Sequence, residues 1–183
     1  MTETLPSSRD LHGVTIRAYR PSDHSACRRL WAELTEHRNR LYGTPWPEGR
    51  DLGAGFEEYL TQLNLSGMWV ADHEEEGVGG FVGLMLDGRE GEVEPVVVTE
   101  ALRGQGIGRA LLATVAAEAR RRGLAKLTVS PSVRDLSALR TLHAAGFATV
   151  DTVTLAYEVS GTRTVVSGQR AESLDLYDLR FGV

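Results

Sequence analysis

Val98-Thr99-Glu100-Ala101-Leu102-Arg103-Gly104-Gln105-Gly106-Ile107-Gly108-Arg109 is the stretch that decides the fold. It follows an apolar run, residues 93–98, that is typical of a strand, and it leads into a segment with helical spacing of apolar residues. A glycine-rich turn between a strand and a helix favours anions, because the first helical turn has unpaired N–H groups and the helix dipole attracts negative charge. Glycine also lets phosphate oxygens approach the backbone. The sequence therefore predicts a phosphate-binding turn.

Two nucleotide-binding motifs fit this stretch poorly. A P-loop needs a lysine and then serine or threonine after its last glycine, and this pattern is absent. The dinucleotide fingerprint GxGxxG fails at its third glycine, because counting from Gly104 puts Arg109 there. Both nucleotide interpretations are weakened.

Length and charge narrow the class of protein. The 183 residues are enough for one domain. A net charge of −5, with no basic block larger than residues 120–122, argues against a nucleic-acid partner. No apolar run approaches the roughly 20 residues of a membrane helix, and residues 1–12 lack the apolar stretch of a signal peptide. We therefore expect a cytoplasmic protein with no membrane partner.

Cysteine and histidine usage predicts no metal centre. Cys27 is the only cysteine, so it lacks a partner for an internal disulfide or a zinc ribbon, and we expect a buried hydrophobic residue. The five histidines are scattered, without an HExxH motif or a paired spacing. No metal is therefore expected.

Strand and helix patterns alternate along the chain. Asp23 can cap a first helix that Gly43 ends, and Asp51 can cap a second, shorter one. Pro95 has no N–H for a ladder, so it indicates an edge or a bulge in the fourth strand, where freed backbone groups can meet a ligand. The predicted strands are residues 14–18, 68–71, 78–86, 93–98, 124–129, 153–159 and 171–181, and two further helices cover residues 107–122 and 132–145.

Arg103, Gly106 and Gly108 match the pattern Q/R-x-x-G-x-G/A. In this context the stretch resembles the acetyl-CoA-binding motif of the GCN5-related N-acetyltransferases (GNATs), and the resemblance extends over residues 14–159. It includes the opening strand, the order of strands and helices, and a second motif between Ala138 and Phe147.

The resemblance implies one α/β (α+β) domain, residues 13–183, after a flexible segment, residues 1–12. Its expected core is a mixed, twisted sheet of about seven strands with helices on both faces. The fourth and fifth strands are expected to splay apart and to form a cleft.

The resemblance also implies the donor substrate, acetyl-CoA, and its binding site. Backbone N–H groups of the glycine-rich turn would hold the pyrophosphate, and the pantetheine arm would pair with the fourth strand near Val96 and Val98. The residues assigned to the turn are Arg103, Gly104, Gln105, Gly106, Ile107, Gly108 and Arg109.

Glu94 is the candidate general base. Many GNATs carry a glutamate at this position of the fourth strand, where it acts through water on the acceptor amine. Regular alternation puts Glu92 and Glu94 on the face of Val96 and Val98, although a bulge at Pro95 would shift that register. An ordinary role as a solvated strand residue stays open for Glu94, and Glu92 is the reserve base.

The second motif departs from the GNAT pattern. Leu142 stands where many members have the tyrosine that protonates the departing thiolate, and Asp135 stands in place of a frequent asparagine. Leucine cannot donate a proton, but a thiol pKa of about 8.5 makes thiolate a fair leaving group near pH 7. The resemblance thus implies an N-acetyltransferase that works by direct attack of a primary amine on the thioester. A non-catalytic acyl-CoA-binding or regulatory module is the alternative.

The acceptor is expected to be an amine of a small molecule, a peptide or a protein. Acidic residues around the predicted hairpin and the fourth strand could attract a cationic amine; they are Asp72, Glu74, Glu75, Glu76, Asp87, Glu90 and Glu92. Glu33 and His37 lie one turn apart on the first helix, which borders the acceptor site in many GNATs, and Trp46 follows in the next loop. Structural roles for these residues stay open, as does the oligomeric state, a homodimer included.

Overall fold

The computed structural model describes residues 11, 13–43, 49–63, 67–154 and 180–181. Its strands are β1 (Val14–Ala18), β2 (Met68–His73), β3 (Gly77–Asp87), β4 (Glu90–Val98), β5 (Lys126–Thr128), β6 (Thr149–Val150) and β7 (Arg180–Phe181). Its helices are α1 (His24–Tyr42), α2 (Gly55–Gln62), α3 (Ile107–Arg121) and α4 (Leu136–Ala144). None of the helices within these ranges is both long and apolar enough to cross a membrane.

Five strands form one mixed sheet in the order β1-β2-β3-β4-β5. Neighbouring strands are antiparallel except β4 and β5, which are parallel. The predicted mixed sheet is confirmed, with a smaller strand count: among the described residues five strands share it instead of about seven, because β6 and β7 pair separately with each other. Residues 153 and 154 of the predicted sixth strand have no regular structure, and Val153 is 61% exposed, so its apolar character does not mark a buried face. Residues 155–179, which hold most of the last two predicted strands, lie outside the described part of the chain.

Helices cover both faces of the five-stranded sheet, as predicted. We call the cluster on the side of α3 and α4 the first core and the cluster on the side of α1 and α2 the second core. The first core contains Ala71, Val82, Leu84, Val93, Leu102, Ile107, Leu111, Leu112, Val115 and Leu142. The second core contains Cys27, Leu30, Phe56, Tyr59, Leu63, Met68, Val70, Phe81 and Val97.

The start of α1 is held by an ion pair instead of the predicted side-chain cap. Asp23 directly precedes the helix, but its carboxylate caps no helical N–H. It accepts two hydrogen bonds from Arg17, at 2.7 and 2.9 Å, and one from the Arg20 N–H at 2.8 Å. Because Asp23 is only 5% exposed, the guanidinium of Arg17 is the charge that makes burial of this carboxylate tolerable. The helix ends at Gly43, in the left-handed region at φ 62°, as predicted.

Asp23→Asn is expected to lower the free energy of unfolding at pH 7 by about 3 kcal/mol, because it removes one partner of a largely buried ion pair. The hydrogen bonds from Arg17 hold the pKa of Asp23 below its usual value. A lowered pKa in the folded state gives stability that is complete above the unfolded value of about 3.9 and is lost as the pH falls through the folded one. Urea denaturation at pH 7 and pH 3 should therefore give a larger difference between the variants at pH 7 than at pH 3. An equal difference at both pH values would contradict this role.

Candidate active site

The cleft lies where β4 and β5 separate. The two strands pair only over Glu90–Glu92 and Lys126–Thr128. β4 continues to Val98 with β3 along its other edge, so its last residues have one edge without a neighbouring strand among the described residues. The predicted splay between the fourth and fifth strands is therefore confirmed.

A β-bulge interrupts β4 inside this cleft. Val82 pairs with Val96 and Leu84 pairs with Val93, so Gly83 alone faces the two residues Glu94 and Pro95. The bulge indicated by Pro95 is confirmed.

The extra residue changes which side chains share a face. Val93, Val96 and Val98 all pack against the first core, although regular alternation would separate Val93 from the other two. Glu92 and Glu94 flank Val93 and therefore point to the opposite face, toward α1 and α2. The prediction that they share the face of Val96 and Val98 was wrong for the reason foreseen, a register shift at Pro95.

Backbone groups of β4 line the open edge. The Thr99 N–H donates to Gly79 O at 2.8 Å, toward β3. Because backbone groups of an antiparallel pair alternate in direction, Val97 also points to β3, while Val96 and Val98 point into the cleft. On that side the carbonyl of Val98 accepts a hydrogen bond from Arg103 Nε at 3.0 Å. Val96 and Val98 thus have the orientation that pairing with an extended ligand arm requires.

The glycine-rich turn leads from this edge into α3. Gly104 and Gly106 have φ values of 79° and 87°, in the left-handed region where a side chain is disfavoured. The first helical hydrogen bond runs from the Ala110 N–H to Gly106 O at 3.1 Å, so the N–H groups of Ile107 and Gly108 precede the helical ladder. A Cβ atom at Gly104 would meet no atom within 4 Å, so open space adjoins the turn. The turn can therefore admit an anion to free N–H groups at the positive end of a helix.

Two buried side chains anchor the glycine-rich turn to the first core. Leu102 and Ile107 are 4% and 1% exposed, and both belong to the first core. Arg103, between them in sequence, is exposed and contacts the open edge of β4 through Val98 O. The rigid packing beneath the turn holds its backbone in position before any ligand arrives.

The two candidate bases have different surroundings. Glu94 is exposed, and its carboxylate makes no hydrogen bond or ion pair within the described ranges. Glu92 is half-buried, and its carboxylate accepts a hydrogen bond from Ser130 Oγ at 2.9 Å, just beyond the end of β5. Glu94 therefore has the freer carboxylate, while that of Glu92 helps to join the two splayed strands.

Helix α1 makes several polar contacts near the C-terminal ends of the splayed strands, and two of them involve the predicted residues Glu33 and His37. Glu33 Oε1 accepts a hydrogen bond from Thr99 Oγ1 at 3.1 Å. One turn later His37 Nε2 lies 2.8 Å from Asp135 Oδ2. Asp135 also caps α4, since its other oxygen accepts from the Ala138 N–H at 2.9 Å. Glu33 and His37 are thus near this end of the cleft, whereas Trp46 lies outside the described residues.

Leu142 has a packing role at the position of the missing tyrosine. It is 4% exposed and belongs to the first core, together with residues of α3. Its aliphatic side chain supplies no proton donor, and its burial gives it a packing role instead.

Three contacts of the site escaped the sequence analysis: Ser130 with Glu92, Asp135 with His37, and Tyr59 with Glu94. The Tyr59 hydroxyl donates to the main-chain carbonyl of Glu94 at 2.7 Å. The signal that could have located the last contact is Gly83, a glycine inside a predicted buried strand, where it often marks a bulge or a close approach.

The other reactive groups among the described residues form no second centre. Cys27 is 0% exposed, as expected, and burial raises the pKa of its thiol to about 12. In the part of the chain that the structure describes, no group of three or more histidine, cysteine, aspartate or glutamate side chains is arranged to hold a metal ion.

Residues 31–147 match the sequence profile of the Acetyltransferase (GNAT) family. The chain belongs to this family. The match spans the cleft, the glycine-rich turn and the second motif, and it begins inside α1. No curated protein matches this GNAT chain.

Solved structures share the GNAT fold at low sequence identity. An acetyltransferase from Trypanosoma brucei is 24% identical over 80% of this chain and 99% of its own, with a TM-score of 0.56. The ribosomal-protein-S18-alanine N-acetyltransferase from Escherichia coli is 18% identical over 73% of this chain and 76% of its own, with a TM-score of 0.53. An aminoglycoside N-acetyltransferase in complex with CoA is 17% identical over 80% of this chain and 95% of its own, with a TM-score of 0.56.

Proposed function

We propose that this GNAT protein transfers the acetyl group of acetyl-CoA to a primary amine by direct attack of the amine on the thioester. The observation that carries the proposal is the open edge of β4 running directly into the glycine-rich turn at the start of α3. An extended amide arm and a pyrophosphate need these two features, in this order. The similarity in fold to N-acetyltransferases, one of them in complex with CoA, supports the same donor.

The chain's own groups fit acetyl-CoA, which supplies the acetyl group as a thioester. The N–H groups of Ile107 and Gly108 would receive the pyrophosphate, and Arg103 and Arg109 add positive charge beside them. Backbone groups of Val96 and Val98 would pair with the pantetheine arm. Among the described residues, no strand pairs with the cleft side of Val96 and Val98, and the N–H groups of Ile107 and Gly108 precede the helical hydrogen bonds.

The acceptor amine must lose a proton before it attacks. A lysine-type amine has a pKa of about 10.4, so the neutral form costs roughly 4.6 kcal/mol at pH 7. Glu94, with a free and exposed carboxylate, takes this proton through a water molecule. The base lies on the α1 and α2 face, so the acceptor approaches from that face.

The acetyl group then passes directly from sulfur to nitrogen, without a covalent enzyme intermediate. The amine nitrogen forms the new bond to the acetyl carbon, the carbon–sulfur bond breaks, and CoA leaves as thiolate. The N–H of Val96 stabilises the negative charge that develops on the acetyl oxygen. Solvent protonates the thiolate, and the amide nitrogen loses its second proton to water. Cys27 cannot carry the acetyl group, because a buried thiol with a pKa of about 12 is protonated at neutral pH.

The acceptor is an amine of a small molecule or of a peptide or protein. Both classes occur among the structural neighbours, since one acts on a ribosomal protein and another on aminoglycosides. The carboxylates of Glu92 and Glu94 on the acceptor face favour an amine that arrives with positive charge.

Release of free CoA thiol in the presence of acetyl-CoA and a panel of amines tests the proposal. The panel contains spermidine, kanamycin, a peptide with a free N-terminus and a peptide with an internal lysine. At least one amine is expected to accelerate thiol release over the amine-free control, with the acetylated product detected by mass spectrometry. Thermal stabilisation by acetyl-CoA without thiol release for any amine would instead favour a non-catalytic acyl-CoA-binding module.

A further inference from the structure

The Tyr59 hydroxyl contacts the sheet at the bulge of β4, next to Gly83 of β3. Tyr59 comes from α2 and is 6% exposed. Its hydroxyl donates to the main-chain carbonyl of Glu94 at 2.7 Å, at the bulge of β4. The carbonyl that the bulge removes from the regular ladder thus receives a partner from a helix.

Gly83 makes this contact possible. It is the one residue of β3 that faces Glu94 and Pro95. A Cβ atom at Gly83 would lie 1.7 Å from the Tyr59 hydroxyl oxygen and 2.5 Å from Glu94 O. No side chain fits there, so the glycine, the bulge and the tyrosine form one packed unit, which we call the bulge lock (Tyr59, Gly83 and Glu94).

The tyrosine ring is fixed by its own neighbours. Its centroid lies 5.0 Å from that of Trp31 and 6.2 Å from that of Phe56, within the second core. Burial raises the pKa of the Tyr59 hydroxyl, and the negative charge of Glu94 raises it further, so the hydroxyl keeps its proton and acts as a donor at neutral pH. A rigid ring that carries a permanent donor is suited to fixing the position of a strand segment.

We propose that Tyr59 is a positioning residue for acetyl transfer, and this inference rests on the proposed function. By holding the carbonyl of Glu94, it fixes the backbone that aims the Glu94 carboxylate at the acceptor amine. Tyr59 itself touches no substrate.

Tyr59→Phe keeps the ring and removes only the hydroxyl. With acetyl-CoA and the most active amine of the panel, kcat is expected to fall by about 10- to 100-fold, because a small displacement of a catalytic group is costly. The KM for acetyl-CoA should stay within about twofold, since Tyr59 holds the carbonyl of Glu94, which is not among the groups proposed to bind acetyl-CoA. Tyr19→Phe is the matched control, because Tyr19 packs against the same core and its hydroxyl has no hydrogen-bond partner among the described residues. It should leave kcat unchanged.

A double-mutant cycle separates positioning from general loss of packing. If Tyr59 acts through the Glu94 carboxylate, Tyr59→Phe should reduce kcat by less than about twofold when Glu94→Gln is already present. A loss of the same size in both backgrounds, or a Tyr59→Phe variant with the kcat of the wild type, would overturn the inference.

Amide exchange tests the bulge lock without any substrate. The Val97 N–H points to β3 next to the bulge, and its exchange should be about tenfold faster in Tyr59→Phe than in Tyr19→Phe. If no amine of the panel is acetylated, the proposed function fails. Unchanged Val97 exchange would then also overturn the positioning role, whereas faster exchange would support the lock.

Discussion

Gly106→Val is expected to abolish the thermal stabilisation of the protein by acetyl-CoA. Gly106 caps α3 in the left-handed region, at φ 87°, beside the free N–H groups of Ile107 and Gly108. A valine side chain would occupy the space through which phosphate oxygens reach those groups. The ligand would lose its pyrophosphate contacts even where the rest of the cleft is intact.

The size of the lost effect follows from mass action. A ligand at 100 times its Kd stabilises the native state by about 2.7 kcal/mol, and a domain of this size gains roughly 5–11 °C in Tm from it. Thermal denaturation with and without acetyl-CoA measures this shift. NAD should give none, because it has a pyrophosphate but no pantetheine arm to pair with Val96 and Val98.

Gly123→Val is the matched control for backbone strain. Gly123 also has a positive φ, 68°, and a Cβ atom there would meet nothing within 4 Å, but it follows the other end of α3. Both variants place a β-branched residue in the left-handed region and should lose about 1–3 kcal/mol of stability without ligand. Only Gly106→Val should lose the response to acetyl-CoA. A full thermal shift with acetyl-CoA in Gly106→Val would show that the turn is not part of the binding site.

Elements with a local sequence signal were predictable. β1 occupies residues 14–18 as predicted, because alternation and a following proline mark both its face and its end. The end of α1 at Gly43 and the glycine-rich turn before α3 follow from the conformations that only glycine adopts cheaply. Each of these signals lies within a few residues of the feature that it predicts.

Side-chain direction in β4 was less predictable. Pro95 indicated a bulge, but the face of Glu92 and Glu94 depends on which strand carries the extra residue, and this is a property of the pairing with β3. Asp23 shows the same limit at a helix start. Its position suggested a cap, whereas Arg17 on the neighbouring strand competes for the carboxylate with a full charge.

No local motif identifies both partners of a contact between distant residues, although Gly83 marks the place of one such contact. His37 and Asp135 are 98 positions apart, and Tyr59 and Glu94 are 35 apart. Such pairs form only after the sheet, α1 and α4 have packed, so they are products of the tertiary structure. Motifs could therefore predict the backbone groups of the glycine-rich turn. They could not predict the contact by which Tyr59 holds Glu94.

Glu94→Gln is expected to reduce kcat at pH 7 by about 10² to 10⁴-fold, the usual contribution of a positioned general base. Glutamine keeps the shape of the side chain, and the main-chain carbonyl that Tyr59 holds is unchanged. Thermal stability and the shift with acetyl-CoA should therefore match those of the wild type. Steady-state thiol release with the most active amine measures the loss.

The pH dependence of Glu94→Gln distinguishes a base from a structural residue. As the pH rises toward the pKa of the amine, about 10.4 for a lysine-type acceptor, the substrate arrives already neutral and the variant should recover part of its rate. Glu90→Gln is the matched control, since Glu90 is exposed on the same strand but pairs beside Lys126, before the splay. It should keep full activity at every pH. If Glu94→Gln also keeps full activity at pH 7, Glu94 is only a strand residue, and the loss should appear in Glu92→Gln instead.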